Sequence, residues 1–418
     1  MEEKKFLRDF FIQIRNLTSL SFNLYSIKGV IFILTLSFFP FVVLFIITGL
    51  RAIDRRLEEA GELIGSRFNT LIKITLPLIL PYIFTSLAFV FILTISEYAL
   101  PELLRTYNYA FEVYYQFDAF HNFAKATALA FPPTVLTVSL VFLMAKFMSE
   151  RPYVSISGHY RPAQANKFPI LRIPALLFVS GILFLSLICP ILVLVKGIGP
   201  LKNILFAFDS SLSEIVLSLF LAVLGATLCT FISLPMAYLL ENSRGISRKL
   251  IDLITLIPLA IPGPIIGLGL IKLWNRPQTF LIYSSFISIL LAYLARFACF
   301  GIRIISAALK TYSKEFKEAA LLIPASRIRR FFKITFPLIH PSLVTTWLVS
   351  FVFCMLELSA VLFIVPPGEV TLPMRIELLL HHADRQMIFA MCLVQIMIIL
   401  IPVLILLPYA KLRTRDNT

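Results

Sequence analysis

Nine stretches of this chain, at 29–50, 74–96, 126–145, 173–195, 215–240, 253–271, 277–295, 341–364 and 386–410, carry no charge or almost none over a length that matches a bilayer. About 20 residues at 1.5 Å rise cross the roughly 30 Å hydrocarbon core, and only helices or closed barrels satisfy their backbone there. The runs are continuous and do not alternate, which selects helices. The reading is an all-α, polytopic membrane bundle of about nine transmembrane helices. Apolar residues make up 59% of the chain and charged ones 15%, at a mean hydropathy of +0.89, so no large water-soluble domain and no disordered chain fits.

The net charge of +15 would point to nucleic acid in a soluble protein, but here the cations cluster in short segments between the apolar runs. If the loop at 51–73 is cytoplasmic, strict alternation puts 146–172, 241–252, 296–340 and 411–418 there too. These five segments hold 25 Lys and Arg, and the four opposite loops hold 8. The positive-inside rule supports that orientation. It leaves the N-terminus outside, although Lys4, Lys5, Arg8, Arg15 and Lys28 favour the cytoplasm. No nucleic-acid partner is read from the charge.

Self-comparison gives the strongest local signal. Ser66–Pro81 matches Ser326–Pro341 at an offset of 260, with nine of sixteen positions identical. Upstream the offset is 259, pairing Arg51 with Lys310, Asp54 with Ser313, Glu59-Ala60 with Glu318-Ala319 and Gly65 with Pro324; Ala325 is extra in the second copy. Each loop reads as a short helix outside the bilayer, N-capped by Asp54 or Ser313 and stopped by Gly65 or Pro324. The next membrane helix starts at Pro77 or Pro337, where a missing N–H costs little. Small Ala60, Gly61, Ala319 and Ala320 would let a partner surface approach closely. An amphipathic helix lying at the lipid interface is the bland alternative for either loop alone.

Glu59-Ala60-Gly61 with Gly65 and Ile74-x-Leu76-Pro77, and Glu318-Ala319-Ala320 with Ile334-x-Phe336-Pro337, resemble the EAA signature of permease subunits in binding-protein-dependent ABC importers. The resemblance implies the type I importer permease (MetI-like) fold in two repeats, with each EAA segment a coupling helix docked on a cytoplasmic ATPase. Carried over by position, the docking residues are Glu59, Ala60, Gly61, Gly65, Glu318, Ala319, Ala320 and Pro324. This chain departs from the pattern at Gly61, which replaces the second Ala, at Pro324, which replaces the motif Gly, and in a first copy one residue short. Two ATPase copies, an external substrate-binding protein and the lipid bilayer are the implied partners, in a bacterial inner membrane.

Pro258-Leu-Ala-Ile-Pro262-Gly263-Pro264 looks like the broken span of these permeases, and Glu357-Leu-Ser-Ala360 with Pro366-Pro367-Gly368 and Leu372-Pro373-x-Arg375 looks like the ferric-iron branch. Iron is the substrate this resemblance favours; thiamine, polyamine, sulfate and phosphonate permeases compete. In that branch two six-helix halves are fused. The implied domains are an external segment 1–28, a first repeat 29–148 with its EAA loop at 51–77, a linker 149–172, a second repeat 173–410 with its EAA loop at 310–337, and a cytoplasmic tail 411–418. The first repeat then lacks its first three helices. A split gene, a wrong start codon or a decayed gene giving a non-functional truncated permease would each produce such a chain, and a separate fragment supplying those helices joins the partners under the first.

Glu97 and Glu357 each lie 20 residues beyond the proline that opens their helix, Pro77 and Pro337. Carboxylates at such depths are costly and often functional, so both are candidates for lining a translocation pathway; a hydrated or Arg-paired helix end is the alternative. Arg296 reads as a snorkelling, topological residue. His381, His382 and Asp384 read as a solvated loop, and the five cysteines have no metal-ligand spacing. No metal site is assigned. No G-x-x-x-x-G-K-[ST] loop occurs, so the chain is read as no enzyme: it binds no cofactor, and ATP is used by the partner subunit. An ATP-independent secondary transporter or membrane enzyme is the reading from another class; it would need no docking helix and would gather polar residues near the midplane.

Overall fold

The apolar runs fold as helices, and every regular element among the described residues is helical. The structure is a computed structural model that describes residues 23–149, 169–311, 326, 329, 331–382 and 384–411. Among the described residues eight helices are long and apolar enough to cross a membrane, and a ninth crossing is available if one sharply bent helix pair counts as a single span. The chain divides into two compact units at Val193 and Leu194.

The first unit opens with α1 (Ile27–Ala52), whose start is capped by Ser26 Oγ accepting from Gly29 N at 3.4 Å. A short α2 (Arg55–Ile64) comes next, then a turn (Arg67–Thr70), a π-helical turn (Leu71–Thr75) and α3 (Leu76–Ile95). Phe41 and Phe45 on α1 meet the Phe89 ring on α3 at 5.4 and 5.6 Å. The segment read as a plain outer loop at 97–125 holds two short helices, α4 (Ala99–Leu103) and α5 (Tyr109–Asp118). Asn108 accounts for the second: its Oδ1 accepts from Phe111 N at 2.8 Å, while its Nδ2 donates to the Glu97 carbonyl at 2.7 Å. The span α6 (Phe123–Ser149) closes this part. A further helical run, α7 (Pro169–Leu183) with a π turn and α8 (Cys189–Gly197), straddles the division, and none of its most apolar window is buried inside the protein.

The second unit contains α9 (Lys202–Ser210), α10 (Leu212–Asn242), α11 (Gly245–Ala260), α12 (Gly263–Trp274), α13 (Ile287–Thr311), α14 (Phe336–Leu356), α15 (Leu372–His382) and α16 (Arg385–Lys411). Its centre is α13, 44% of whose apolar window is buried, flanked by α10 and α14. Ala237 and Leu240 on α10 pack with Ile302, Ile305 and Leu309 on α13 and Ile339 on α14. Close approach depends on Gly301: a Cβ there would lie 2.4 Å from Ser233 Oγ and 2.7 Å from Thr346 Cγ2. Small residues allow such contacts where lipid offers no hydrophobic drive for association. Cross-helix hydrogen bonds run from Ser233 to the Ala298 carbonyl (3.0 Å) and from Trp347 Nε1 to Thr227 Oγ1 (3.1 Å).

Of two further apolar runs, one is broken within Pro258–Pro264 as the resemblance implies, and one is displaced. The run at 253–271 is not a straight helix: α11 and α12 meet at 101° across Ile261-Pro262. Pro262 has no N–H to continue the ladder and pushes Ile261 into the extended region, at φ −85° and ψ 120°. The run at 277–295 is displaced, since α13 begins at Ile287 and continues through Arg296 and Arg303 to Thr311. Charges that looked like the end of a span are accommodated inside a helix because each is paired with a carboxylate from a neighbouring element. His381 and His382 end α15 and do not lie in a loop.

Candidate functional site

The first repeated loop forms the short helix its residues call for. Asp54 caps α2 by accepting from Arg56 N at 3.1 Å, and Gly65 N closes the last turn on the Gly61 carbonyl at 3.0 Å. Glu59 and Ala60 are exposed, as is Gly65. Gly61 is not: it faces inward, where a Cβ would come within 2.6 Å of Ile74 Cδ1 and 2.8 Å of Thr70 Cγ2. Its smallness therefore serves the contact between α2 and the turn after it, not the approach of an outside surface. Thr75 Oγ1 donates to Glu58 Oε1 at 3.0 Å and ties α2 to the turn that opens α3. The outward side of this corner carries Leu63 (89% exposed) and Phe68 (68% exposed), an apolar pair with little cover in this chain.

The second loop's Glu318, Ala319, Ala320 and Pro324 lie outside the described residues. From Ser326 onward three features of the first copy recur in the second. Ser66 Oγ accepts from Asn69 N and Ser326 Oγ from Arg329 N, each at 3.3 Å. A π-helical turn occupies Leu71–Thr75 in one copy and Phe331–Thr335 in the other. Thr85 donates to the Pro81 carbonyl at 2.7 Å, and Thr345 to the Pro341 carbonyl at 2.8 Å. The proline at each of these positions removes the N–H that would bond four residues back, and the threonine four residues on takes up backbone oxygen nearby.

At the far end of each repeated helix the carboxylate also has the same local task. Glu97 Oε1 accepts from Leu100 N at 3.2 Å and Glu357 Oε1 from Ala360 N at 2.8 Å, so each caps a short helical turn three residues on. Beyond that the copies differ. Glu97 is partly exposed, whereas Glu357 is only 5% exposed and is bound by the Arg296 guanidinium and the Ser359 hydroxyl. Arg296 is thus not a snorkelling residue: it points into the unit and pairs with Glu357 and Ser359. Gly263, the first residue of α12 after the break, makes room for this cluster. A Cβ on it would be 2.1 Å from Ser359 Oγ and 2.3 Å from Arg296 Nη1.

Two further ion pairs, which sequence reading did not find, stand nearer the end of α13. Arg303 pairs with Asp252 on α11. Lys310 Nζ stands 3.5 Å from Glu241 Oε1 on α10, and the same carboxylate receives the Ser306 hydroxyl and Arg248 Nη2, the latter at 3.4 Å. The signal that could have found them is the spacing of 296, 303 and 310. No group of three or more His, Cys, Asp or Glu that could hold a metal ion occurs among the described residues.

A family model described as "Binding-protein-dependent transport system inner membrane component" matches residues 10–149 and 230–416. The ferric transport system permease protein FbpB of Actinobacillus pleuropneumoniae is 24% identical over 361 residues, covering 82% of this chain and 52% of the relative. An Fe(3+)-transport system permease protein of Haemophilus influenzae is 25% identical over 399 residues, covering 94% of this chain and 78% of the relative. The putrescine transport system permease protein PotI of Escherichia coli is 28% identical over 229 residues, covering 50% of this chain and 81% of the relative. The chain spans about half the length of the first of these.

Proposed function

This chain belongs to the family of binding-protein-dependent transport system inner membrane components, and from that premise we propose that it is a permease subunit of an ABC importer for ferric iron. In this reading an external binding protein delivers the iron, and two ATPase subunits dock on the loops at 54–65 and 313–324. Hydrolysis in those subunits drives the pathway open toward the cytoplasm; the chain itself supplies no ATP site and no reacting group. The observation that carries the reading is the doubled unit of serine cap, π turn and proline-led span, repeated at an offset of 260. A secondary transporter has no use for two loops that repeat one another in sequence, and an interfacial helix resting on lipid has no reason to be tied by Glu58–Thr75 to the start of the next span.

Iron is favoured over polyamines because the ferric relatives align across most of the chain, whereas the putrescine relative aligns over half of it. Glu59 and Ala60 lie on the exposed side of α2 beside Leu63, which supports a surface made for a protein groove. Reversing both motif carboxylates, Glu59→Lys with Glu318→Lys, is expected to release the ATPase from detergent-purified complexes while the permease still inserts into the membrane. ATPase retained at the wild-type level by the double variant would overturn the docking assignment. For the substrate, cells carrying the whole operon should accumulate radioactive ferric citrate; accumulation of putrescine without iron would replace the iron assignment with a polyamine one.

A further inference from the structure

Between Ile287 and Thr311, α13 has three formal charges, Arg296, Arg303 and Lys310, at intervals of seven residues. Seven residues make two turns less about 20° of drift, so the three cations share one stripe over about 21 Å of helix. Each is met by a carboxylate from a different element: Glu357 at the end of α14, Asp252 on α11 and Glu241 on α10. Each rung has a second tie. Arg296 also binds Ser359; Arg303 Nη2 donates to the Asp252 carbonyl at 3.1 Å and to Thr255 Oγ1 at 3.4 Å; and Glu241 also takes Ser306 and Arg248. Side-chain exposure of the cations rises along the stripe from 18% to 36% to 57%. The ladder therefore runs from the interior of the unit to the last described turn of α13.

We propose that these three pairs form a register ladder: they fix the axial position of α13 against α10, α11 and α14, and so determine where the second coupling loop leaves the bundle. The apolar contacts of α13 cannot do this alone. Ile302, Ile305 and Leu309 lie on aliphatic neighbours, and a slip along the axis exchanges one apolar contact for another in an environment where lipid is no worse a partner. The charges do distinguish positions. With a spacing of seven, two of the three cations regain carboxylates only after sliding about 10.5 Å, so a shift of one helical turn, about 5.4 Å, leaves every rung unmatched. The device is all-or-none. It makes α13 a single strut whose inner rung closes on Gly263, at the break between α11 and α12, and whose outer rung stands in the last described turn of the helix. Asp252 and Arg303 are positioning residues in this assignment, since neither need touch substrate or partner.

The coupling half of this proposal rests on the ATPase-docking reading; the register half does not. The test uses the middle rung, with Asp252→Arg, Arg303→Asp and the charge swap Asp252→Arg/Arg303→Asp, each purified in detergent with the cognate ATPase and checked for a monodisperse peak. The expected result is a fall of about five-fold or more in ATPase retained per permease for each single variant, and recovery to within about two-fold of wild type in the swap. Thermal unfolding of the permease alone should follow the same order, with both singles melting lower than the swap. Wild-type retention in the singles, or a swap no better than the worse single, overturns the ladder. If wild-type permease itself holds no ATPase, the docking reading falls, and the unfolding order alone then decides the register role: a swap that melts no higher than the singles overturns it.

Discussion

A guanidinium and a carboxylate taken out of water together cost several kcal/mol each in desolvation, and their attraction compensates only when geometry and further hydrogen bonds are good. The Arg296–Glu357 pair meets that condition, because Glu357 Oε1 also accepts from Ser359 Oγ and Ala360 N at 2.8 Å. Removing one partner is therefore the damaging change. Arg296→Met should cost about 3–5 kcal/mol, since Glu357 at 5% exposure is left as an unpaired buried charge. Adding Glu357→Gln should return most of that, because the amide oxygen can still cap Ala360. Ser359→Ala removes hydrogen bonds alone, those to Arg296 and Glu357, and should cost only about 1 kcal/mol at the average for polar contacts inside membranes. Thermal unfolding of the detergent-purified protein reads all three, and a double variant less stable than Arg296→Met would mean that the pair is not what holds this corner. Gly263 belongs to the same scale: any side chain there displaces either Ser359 or Arg296.

At the scale of elements, the loop helix and the span after it behave as one jointed piece. Gly61 fills the joint, and what it meets differs in stiffness: Ile74 Cδ1 is the far end of a flexible side chain, while Thr70 Cγ2 is on a β-branched one. Gly61→Ala should thus be tolerated at a cost of about 1 kcal/mol, the lower end of overpacking. Gly61→Leu should swing α2 away and lower ATPase retention without unfolding the spans, as circular dichroism and co-purification together would reveal. Full retention in Gly61→Leu would show that the joint is loose. This element was legible in the sequence because its information is carried by residue identity at a fixed offset: serine caps, the Ile-Thr-x-Pro step and the Asp54 cap all function where they stand. The inward aim of Gly61 was not legible, since a small residue on a short helix reads the same whether it faces a neighbour or a partner. The stripe on α13 was hidden for a related reason. A window that seeks uncharged runs stops at Arg296, and only the partners on α10, α11 and α14, from 51 to 69 residues away in sequence, show that the charges belong inside. The helices within 97–125 and 365–385 were missed because they are short, and α5 depends on the single cap of Asn108.

At the scale of the whole molecule, sidedness turns on the bent pair. Two geometries fit a 101° break between α11 and α12: a kinked crossing, or a hairpin that returns to the side it left. The distribution of cations separates them. Arg244, Arg248 and Lys249 stand at the start of α11, and Lys314, Lys317, Arg327, Arg329, Arg330 and Lys333 come after α13, whereas the segment between α12 and α13 has Arg276 alone. A hairpin would put α13's entry on the Arg244 side and send the basic stretch after Thr311 to the opposite face, against the positive-inside rule; a crossing puts both basic stretches in the cytoplasm. The hairpin would also turn the second proposed docking loop outward, away from any cytoplasmic ATPase. A reporter enzyme active only outside the cytoplasm, fused after Gln278, should therefore be active, with silence after Ser243 and after Arg330 and activity again after Leu378. The Gln278 fusion decides: silence there, with activity after Arg330, would make the pair re-entrant and withdraw the second docking loop from the cytoplasmic face.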